Sequence, residues 1–152
     1  MIIDVYTDGG CRPCNPGPGG YSAVFYKEGK LLDSISGGEI ETTNNRMELT
    51  GVLTAIKTIA SFPKSHDYTT FNIYSDSSYV INGINSWLAN WKLKGWIGSN
   101  KQPVKNQDLW QEIDSFLTPE LKAIINFKWV KGHSGIKGNE MADKLATEAI
   151  PK

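Results

Sequence analysis

A chain of 152 residues, 39% of them hydrophobic, is long enough to bury its own core as one domain without staples. Lys plus Arg match Asp plus Glu at 16 each, so net charge gives no hint of a polyanionic partner. No apolar run is long enough to span a membrane, and the N-terminus lacks the basic start and apolar middle of a signal peptide; the expectation is a cytoplasmic protein without membrane association, most simply a monomer.

The first stretch is apolar-leaning and β-branched, and it breaks at Asp8-Gly9-Gly10. It reads as a strand that stops on a carboxylate where the backbone needs positive φ. After a Gly/Pro corner, 21–27 and 31–36 read as a hairpin turning at Glu28-Gly29-Lys30, so three antiparallel strands open the fold. Thr42-Thr43-Asn44-Asn45 offers several helix caps, and Leu49, Val52, Leu53, Ile56 and Ala60 repeat at helical spacing until Pro63. Glu48 falls on the shoulder of that stripe, from which it reaches the sheet edge without lying beneath it. A polar loop, 64–70, leads to a strand at 71–75 that ends on Asp76. A whole helix separates this strand from the hairpin, so it is expected to run parallel to the first. Helices follow at 77–88, 87–96 and 106–117, the last closed by Thr118-Pro119. A fifth strand occupies 124–130, a flexible loop 131–138, and a final helix 139–150, with Met141, Ala142, Leu145, Ala146 and Ala149 inward and Asp143 off that face.

Each acid has an ordinary structural role open to it. Asp8 suits a turn, Glu48 could complete a cap with Asn45, Asp76 could cap the helix beginning at Ser77, and Asp143 could complement a helix dipole. Their joint placement argues for more, because parallel strands end at one sheet edge and bring Asp8 and Asp76 side by side. Carboxylates packed together repel and raise one another's pKa unless a cation sits among them. Oxygen-only ligands favour Mg²⁺ or Mn²⁺ over zinc. Such sites serve phosphoryl chemistry, where two ions about 4 Å apart can stabilise both the attacking and the leaving oxygen.

Between 77 and 107 there is no Asp or Glu, while Lys92, Lys94, Lys101 and Lys105 alternate with Trp87, Trp91 and Trp96. The stretch reads as a basic protrusion for a nucleic-acid backbone, or as aromatic packing with solvated lysines; both can hold. Cys11-Arg12-Pro13-Cys14 precedes a segment that cannot be helical and has no zinc partners, so its thiols are expected to be free. His133 sits between glycines in a loop, where it is either surface or a proton shuttle. His66 has no such context.

The chain resembles type 1 ribonuclease H of the bacterial kind from end to end. The resemblance rests on Tyr6-Thr7-Asp8-Gly9, Asn15-Pro16-Gly17-Pro18-Gly19-Gly20, Thr42-Thr43-Asn44-Asn45-Arg46-Met47-Glu48-Leu49, Ser75-Asp76-Ser77, Pro103-Val104-Lys105-Asn106 and Trp129-Val130-Lys131-Gly132-His133, with Asn139-Glu140 and Asp143 closing it. It implies an α/β, ribonuclease H-like fold, a mixed five-stranded sheet of three antiparallel and two parallel strands flanked by helices. It also implies an endonuclease that cuts the RNA strand of an RNA/DNA hybrid by metal-assisted hydrolysis, leaving 5′-phosphate and 3′-hydroxyl ends. By the resemblance, Asp8, Glu48, Asp76 and Asp143 hold the metal and His133 is a mobile catalytic histidine. Asn15, Asn44 and Asn45 contact the minor groove and its 2′-hydroxyls, Thr43 and Asn106 hold a DNA phosphate, and Trp87 with the lysines forms the protrusion. Cys14 looks like an extra residue in the first corner, Glu41 stands where relatives often have Arg, Ser78 replaces a longer amide, and Leu93, Ile97 and Gln102 occupy often-basic positions. The alternatives are a catalytically silent hybrid-binding module and another nuclease of the same fold.

Overall fold

The computed structural model describes residues 1–62 and 69–152. The expected Pro63 helix stop, most of the polar loop and His66 lie outside the described residues. Five strands form one sheet in the order β3-β2-β1-β4-β5: β1 Ile2–Cys11, β2 Gly17–Lys27, β3 Lys30–Thr42, β4 Thr70–Ser75 and β5 Ile125–Trp129. The first three pair antiparallel, and β4 runs parallel to both β1 and β5, as the sequence led us to expect. Tyr6 pairs with Tyr74 at the last rung of β1 and β4, so Asp8 and Asp76 emerge two residues further at the same level.

The opening strand does not stop at Asp8. It continues through Gly9 and Gly10 to Cys11, which pairs with Gly19, and neither glycine has positive φ. Glycine is required at position 9 by contact: a Cβ there would collide with the backbone of Met47. The Gly/Pro corner likewise becomes strand from Gly17, and β3 runs six residues past its expected end, because glycines at 20 and 38 leave room for the backbone of the final helix. The hairpin turn lies where expected, with Glu28 and Gly29 both at positive φ.

Helix α1 (Asn44–Ala60) starts on Thr43, whose Oγ1 accepts from Arg46 N at 3.2 Å. It packs Leu49, Val52, Leu53 and Ile56 against Ile3, Val5, Phe25 and Ile73 of the sheet. Beyond β4 the expected pair of helices is one path with a π-helical turn: α2 (Ser78–Asn82), the turn Gly83–Trp87, then α3 (Leu88–Leu93). Gly83 lies where a Cβ would strike the ring of Trp110, the largest fully buried side chain. Helix α4 (Gln107–Phe116) carries Trp110 and Ile113 into the same core. Thr118-Pro119 does not merely close α4; it starts a further short helix, α5 (Pro119–Lys122), with Thr118 Oγ1 accepting from Leu121 N. Helix α6 (Lys137–Glu148), two residues earlier at both ends than expected, covers the opposite face of the sheet, with Ala142 against Val24 and Tyr26. Among the described residues, no helix is long and apolar enough to cross a membrane.

Candidate active site

None of the ordinary roles open to the four acids is the one they occupy. Asp8 lies within a paired strand, opposite Ser22, and is not in a turn. The N-cap of α1 is Thr43, so Glu48 completes no cap with Asn45. Ser77 caps α2, its Oγ accepting from Val80 N at 3.3 Å, which leaves Asp76 without that task. Asp143 stands in the second turn of a helix beginning at Lys137, beyond the first-turn range of the dipole.

Asp8, Glu48 and Asp76 each offer a carboxylate oxygen within 4.8 Å of the other two. Asp143 stands beside Asp8, whose carboxyl it helps to raise. All four line one open cavity of about 440 Å³, with Gly9, Gly10, Cys11, Asn44 and His133. Burial, then the charge of Asp76 and the neighbouring Asp143 carboxyl, push the Asp8 carboxyl up to about 7. Burial, with Asp8 and Asp76 adding to it, raises Glu48 well above the usual carboxylate range. Burial also raises Asp76, against the opposing pull of His133.

Glu48 stands half-buried at the sheet edge, where its place on α1 puts it, but one of its oxygens is cut off. Its Oε2 is fully buried and has no hydrogen-bond partner among the described residues. Such an orphan costs about 1–3 kcal/mol, more when charged, and a cation among the three acids would satisfy it. The donor set fits a hard divalent ion: oxygen atoms only, several formal charges and an open side for water or phosphate.

Three residues around Asp76 belong to the motifs quoted above, but the sequence reading gave them no role in the site. Trp129, half-exposed at the end of β5, donates its indole N–H to the Asp76 carbonyl at 3.0 Å. A Cβ on Gly132 would come within 2.7 Å of Asp76 Oδ2, so this glycine serves close contact rather than the flexibility expected of the loop. Ser75 stands beside the Glu48 carboxyl and pulls it down against the effect of burial. Gly132 was visible as a neighbour of His133; nothing in the local sequence pairs Trp129 with Asp76. His133 is exposed with φ 53°, on the rim of the cavity.

The expected substrate residues form two groups. Asn15 Oδ1 accepts from Asn44 N at 3.0 Å, and Asn44 Oδ1 accepts from Cys11 N at 2.7 Å, so both oxygens are engaged with the backbone. The two NH₂ groups remain as donors available to a ligand, and Asn45 is exposed beside them. Thr43 is occupied as the α1 cap. Asn106, at φ 58°, accepts from Arg46 and donates to the Tyr79 hydroxyl, while Arg46 makes two bonds to Asp108 at 2.7 and 2.9 Å. In the protrusion, Trp87 is 40% exposed and continues a ring series through Trp91 to buried Trp110. Lys94, Lys101 and Lys105 are exposed, whereas Lys92 pairs with Asp114 at 3.2 Å.

Comparison with known proteins agrees with this geometry. The RNase H family profile matches residues 2–151. The ribonuclease H of Francisella philomiragia subsp. philomiragia is 52% identical over 148 residues, covering 97% of this chain and 90% of that protein. That of Francisella tularensis subsp. novicida is 51% identical over the same span and shares. Among solved structures, LC9-RNase H1, described as a type 1 RNase H with the type 2 active-site motif, superposes with a TM-score of 0.81 at 28% identity, covering 98% of this chain and 72% of that one. LC11-RNase H1 in complex with an RNA/DNA hybrid gives a TM-score of 0.74 at 26% identity, covering 97% and 96%. With relatives half identical along nearly their whole length, and a profile that spares only the first and last residues, the chain belongs to the ribonuclease H family as a type 1 member.

Proposed function

We propose that this protein, a single-domain, cytoplasmic monomer, hydrolyses the RNA strand of RNA/DNA hybrids, leaving 5′-phosphate and 3′-hydroxyl ends. The observation that carries the reading is the cluster of Asp8, Glu48 and Asp76, with Asp143 beside Asp8, on an open cavity large enough for a phosphodiester. A protein that only bound hybrid would gain nothing from acids held this close, since without a cation they repel a phosphate and each other. The four carboxylates would hold Mg²⁺, as a pair of ions when substrate is present, with Mn²⁺ as a substitute. When bound, the metal supplies a water of lowered pKa and neutralises charge building on the phosphoryl oxygens.

The remaining work falls to this chain's own side chains. Asp76 is fixed by Trp129 through its carbonyl and by the close approach of Gly132. His133, on the rim beside Asp76, moves a proton at its imidazole as the product leaves. Asn15, Asn44 and Asn45 donate into the minor groove, where only a 2′-hydroxyl distinguishes RNA from DNA. Thr43 and Asn106 hold a phosphate of the DNA strand, and Trp87 with Lys94, Lys101 and Lys105 lies along that strand. Lys92 contributes more by bracing α3 against α4 through Asp114.

The test is cleavage of an end-labelled RNA/DNA hybrid beside duplex RNA and duplex DNA, in Mg²⁺ and in chelator. Cutting confined to the RNA of the hybrid and abolished by chelator is the expected result. Binding without cutting in either Mg²⁺ or Mn²⁺ would overturn the reading.

A further inference from the structure

One rung of the sheet touches both of the helices that carry acids. In that rung Asp8 of β1 pairs with Ser22 of β2. On one face lies α1: a Cβ on Gly51 would come within 2.9 Å of Asp8 O and 3.1 Å of Ser22 O, so Gly51, three residues after Glu48, rests directly on the rung. On the other face lies α6, and there Ser22 donates its hydroxyl to the carbonyl of Ala142 at 2.6 Å, with both ends buried. Ala142 immediately precedes Asp143.

Packing alone does not call for serine there. Val24 and Tyr26, the next residues of β2 on that face, are apolar and meet Ala142 in a small hydrophobic cluster. Ser22 is fully buried, where a hydroxyl is costly unless it finds a partner, and alanine would fill nearly the same space without that demand. Nor does α6 need the bond for its own backbone, because a mid-helix carbonyl already accepts from the N–H four residues on; Ser22 uses its second lone pair. What the hydroxyl adds is direction. Other close contacts of α6 with the sheet, Gly138 against the Tyr6 ring and Gly20 against the Ala146 carbonyl, are steric and limit how near the helix can come. A hydrogen bond also fixes where the helix stops along and around its axis. In an antiparallel pair the side chains of Asp8 and Ser22 lie on one face with Cβ atoms about 5 Å apart, so the hydroxyl grips α6 beside the carboxylate that Asp143 meets.

We propose that Ser22 is a positioning residue, whose bond to Ala142 sets the stance of Asp143 toward Asp8 and thereby the fit of the four carboxylates to a divalent ion. Its effect on cleavage rests on the hybrid-cutting reading above; its effect on metal binding does not.

The experiment compares wild-type protein, Ser22→Ala and Val24→Ala. The last loosens the same α6 contact by removing apolar volume and leaves the Ser22 hydroxyl in place. Calorimetric titration with Mg²⁺ in the absence of hybrid reads metal affinity, steady-state cleavage at saturating Mg²⁺ reads kcat and KM, and melting in chelator reads stability. In Ser22→Ala the Mg²⁺ Kd should rise and kcat fall by about tenfold each, the scale of a slightly misplaced group. KM for hybrid should stay within about twofold, since ground-state binding is untouched. Val24→Ala should lose at least as much in Tm as Ser22→Ala, yet keep the wild-type Mg²⁺ Kd and kcat. A wild-type Mg²⁺ Kd or kcat in Ser22→Ala would make the hydroxyl a folding bond only and overturn the proposal, as would equal losses in Val24→Ala. A wild type that takes up no Mg²⁺ would overturn it too. Wild-type protein that binds Mg²⁺ but cuts no hybrid would instead defeat the functional reading, and the calorimetry would still decide the role of Ser22.

Discussion

At the carboxylate edge, each acid is placed by backbone that distant parts of the chain hold: Asp8 by pairing to β2, Asp76 by β4 and the β5 loop, Glu48 by α1, Asp143 by α6. In the protrusion the backbone supports are local, while Leu88, Val104 and the Trp91–Trp110 contact anchor it to the core. Trp96 N donates to Trp91 O, Val104 N to Trp96 O and Gly98 N to Gln102 O, and Lys92–Asp114 is the ion pair that ties this segment to α4. Catalytic geometry therefore draws on the whole sheet, whereas the binding surface is carried by a short segment with exposed cations. The first region tolerates electrostatic strain because packing over-determines it; in the second the exposed lysines can vary without harming the fold, whereas Leu88, Trp91 and Val104 cannot.

The largest effect expected from breaking this contrast is at Asp8. Asp8→Asn should lower kcat by about 10³-fold or more, the scale of removing a preorganised electrostatic partner, with an unchanged circular dichroism spectrum. The same change should stabilise the metal-free protein. A carboxyl raised from 3.8 to about 7 binds more protons folded than unfolded, so its charge erodes stability as pH rises from about 4 to 7. In chelator at pH 8, Asp8→Asn should exceed wild type by on the order of 2 kcal/mol, a few degrees in Tm, and the gain should vanish near pH 4. Near-normal cleavage, or a gain that persists at low pH, would refute the site.

Gly132→Ala tests whether the β5 loop positions Asp76. The added methyl must displace Oδ2, and kcat should fall about tenfold with Tm almost unchanged; a pure stability loss would make the glycine a folding residue only. Replacing Lys94, Lys101 and Lys105 together by Ala should raise KM and flatten the log–log salt slope by roughly 2–3, about 0.9 per lost phosphate contact. The smallest effect belongs to Lys92→Ala, which should leave that slope unaltered and cost less than about 1 kcal/mol of stability. A slope change as large as that of any other single lysine would return Lys92 to the substrate.

The antiparallel opening, the parallel return of β4 and the meeting of Asp8 with Asp76 were legible in the sequence because parallel pairing follows from the intervening helix, and parallel neighbours end at one edge. Helix α1 was legible from its apolar period. What escaped were features set by contact between distant segments. Gly9 and Gly20 looked like turn residues, yet each is glycine because another backbone presses on it, as also happens at Gly38. Helical spacing put Glu48 on the shoulder of α1, but it cannot reveal that the far oxygen loses every partner on meeting the sheet. The lysines were countable as a basic patch; that one of them is engaged with Asp114 depends on how α3 meets α4. Residues 77–96 read as two helices because a π-helical turn keeps nearly the same apolar spacing while making room for Trp110.

The buried, unpartnered Glu48 oxygen has a practical consequence for anyone handling the protein. Any divalent ion that settles there binds the folded chain and not the unfolded one, so its free concentration adds RT ln(1 + [L]/Kd) to stability. A melting curve is then also a titration: the same preparation should melt at different temperatures in buffers that differ only in trace Mg²⁺. Thermal shift, with no substrate present, becomes a direct assay of metal affinity.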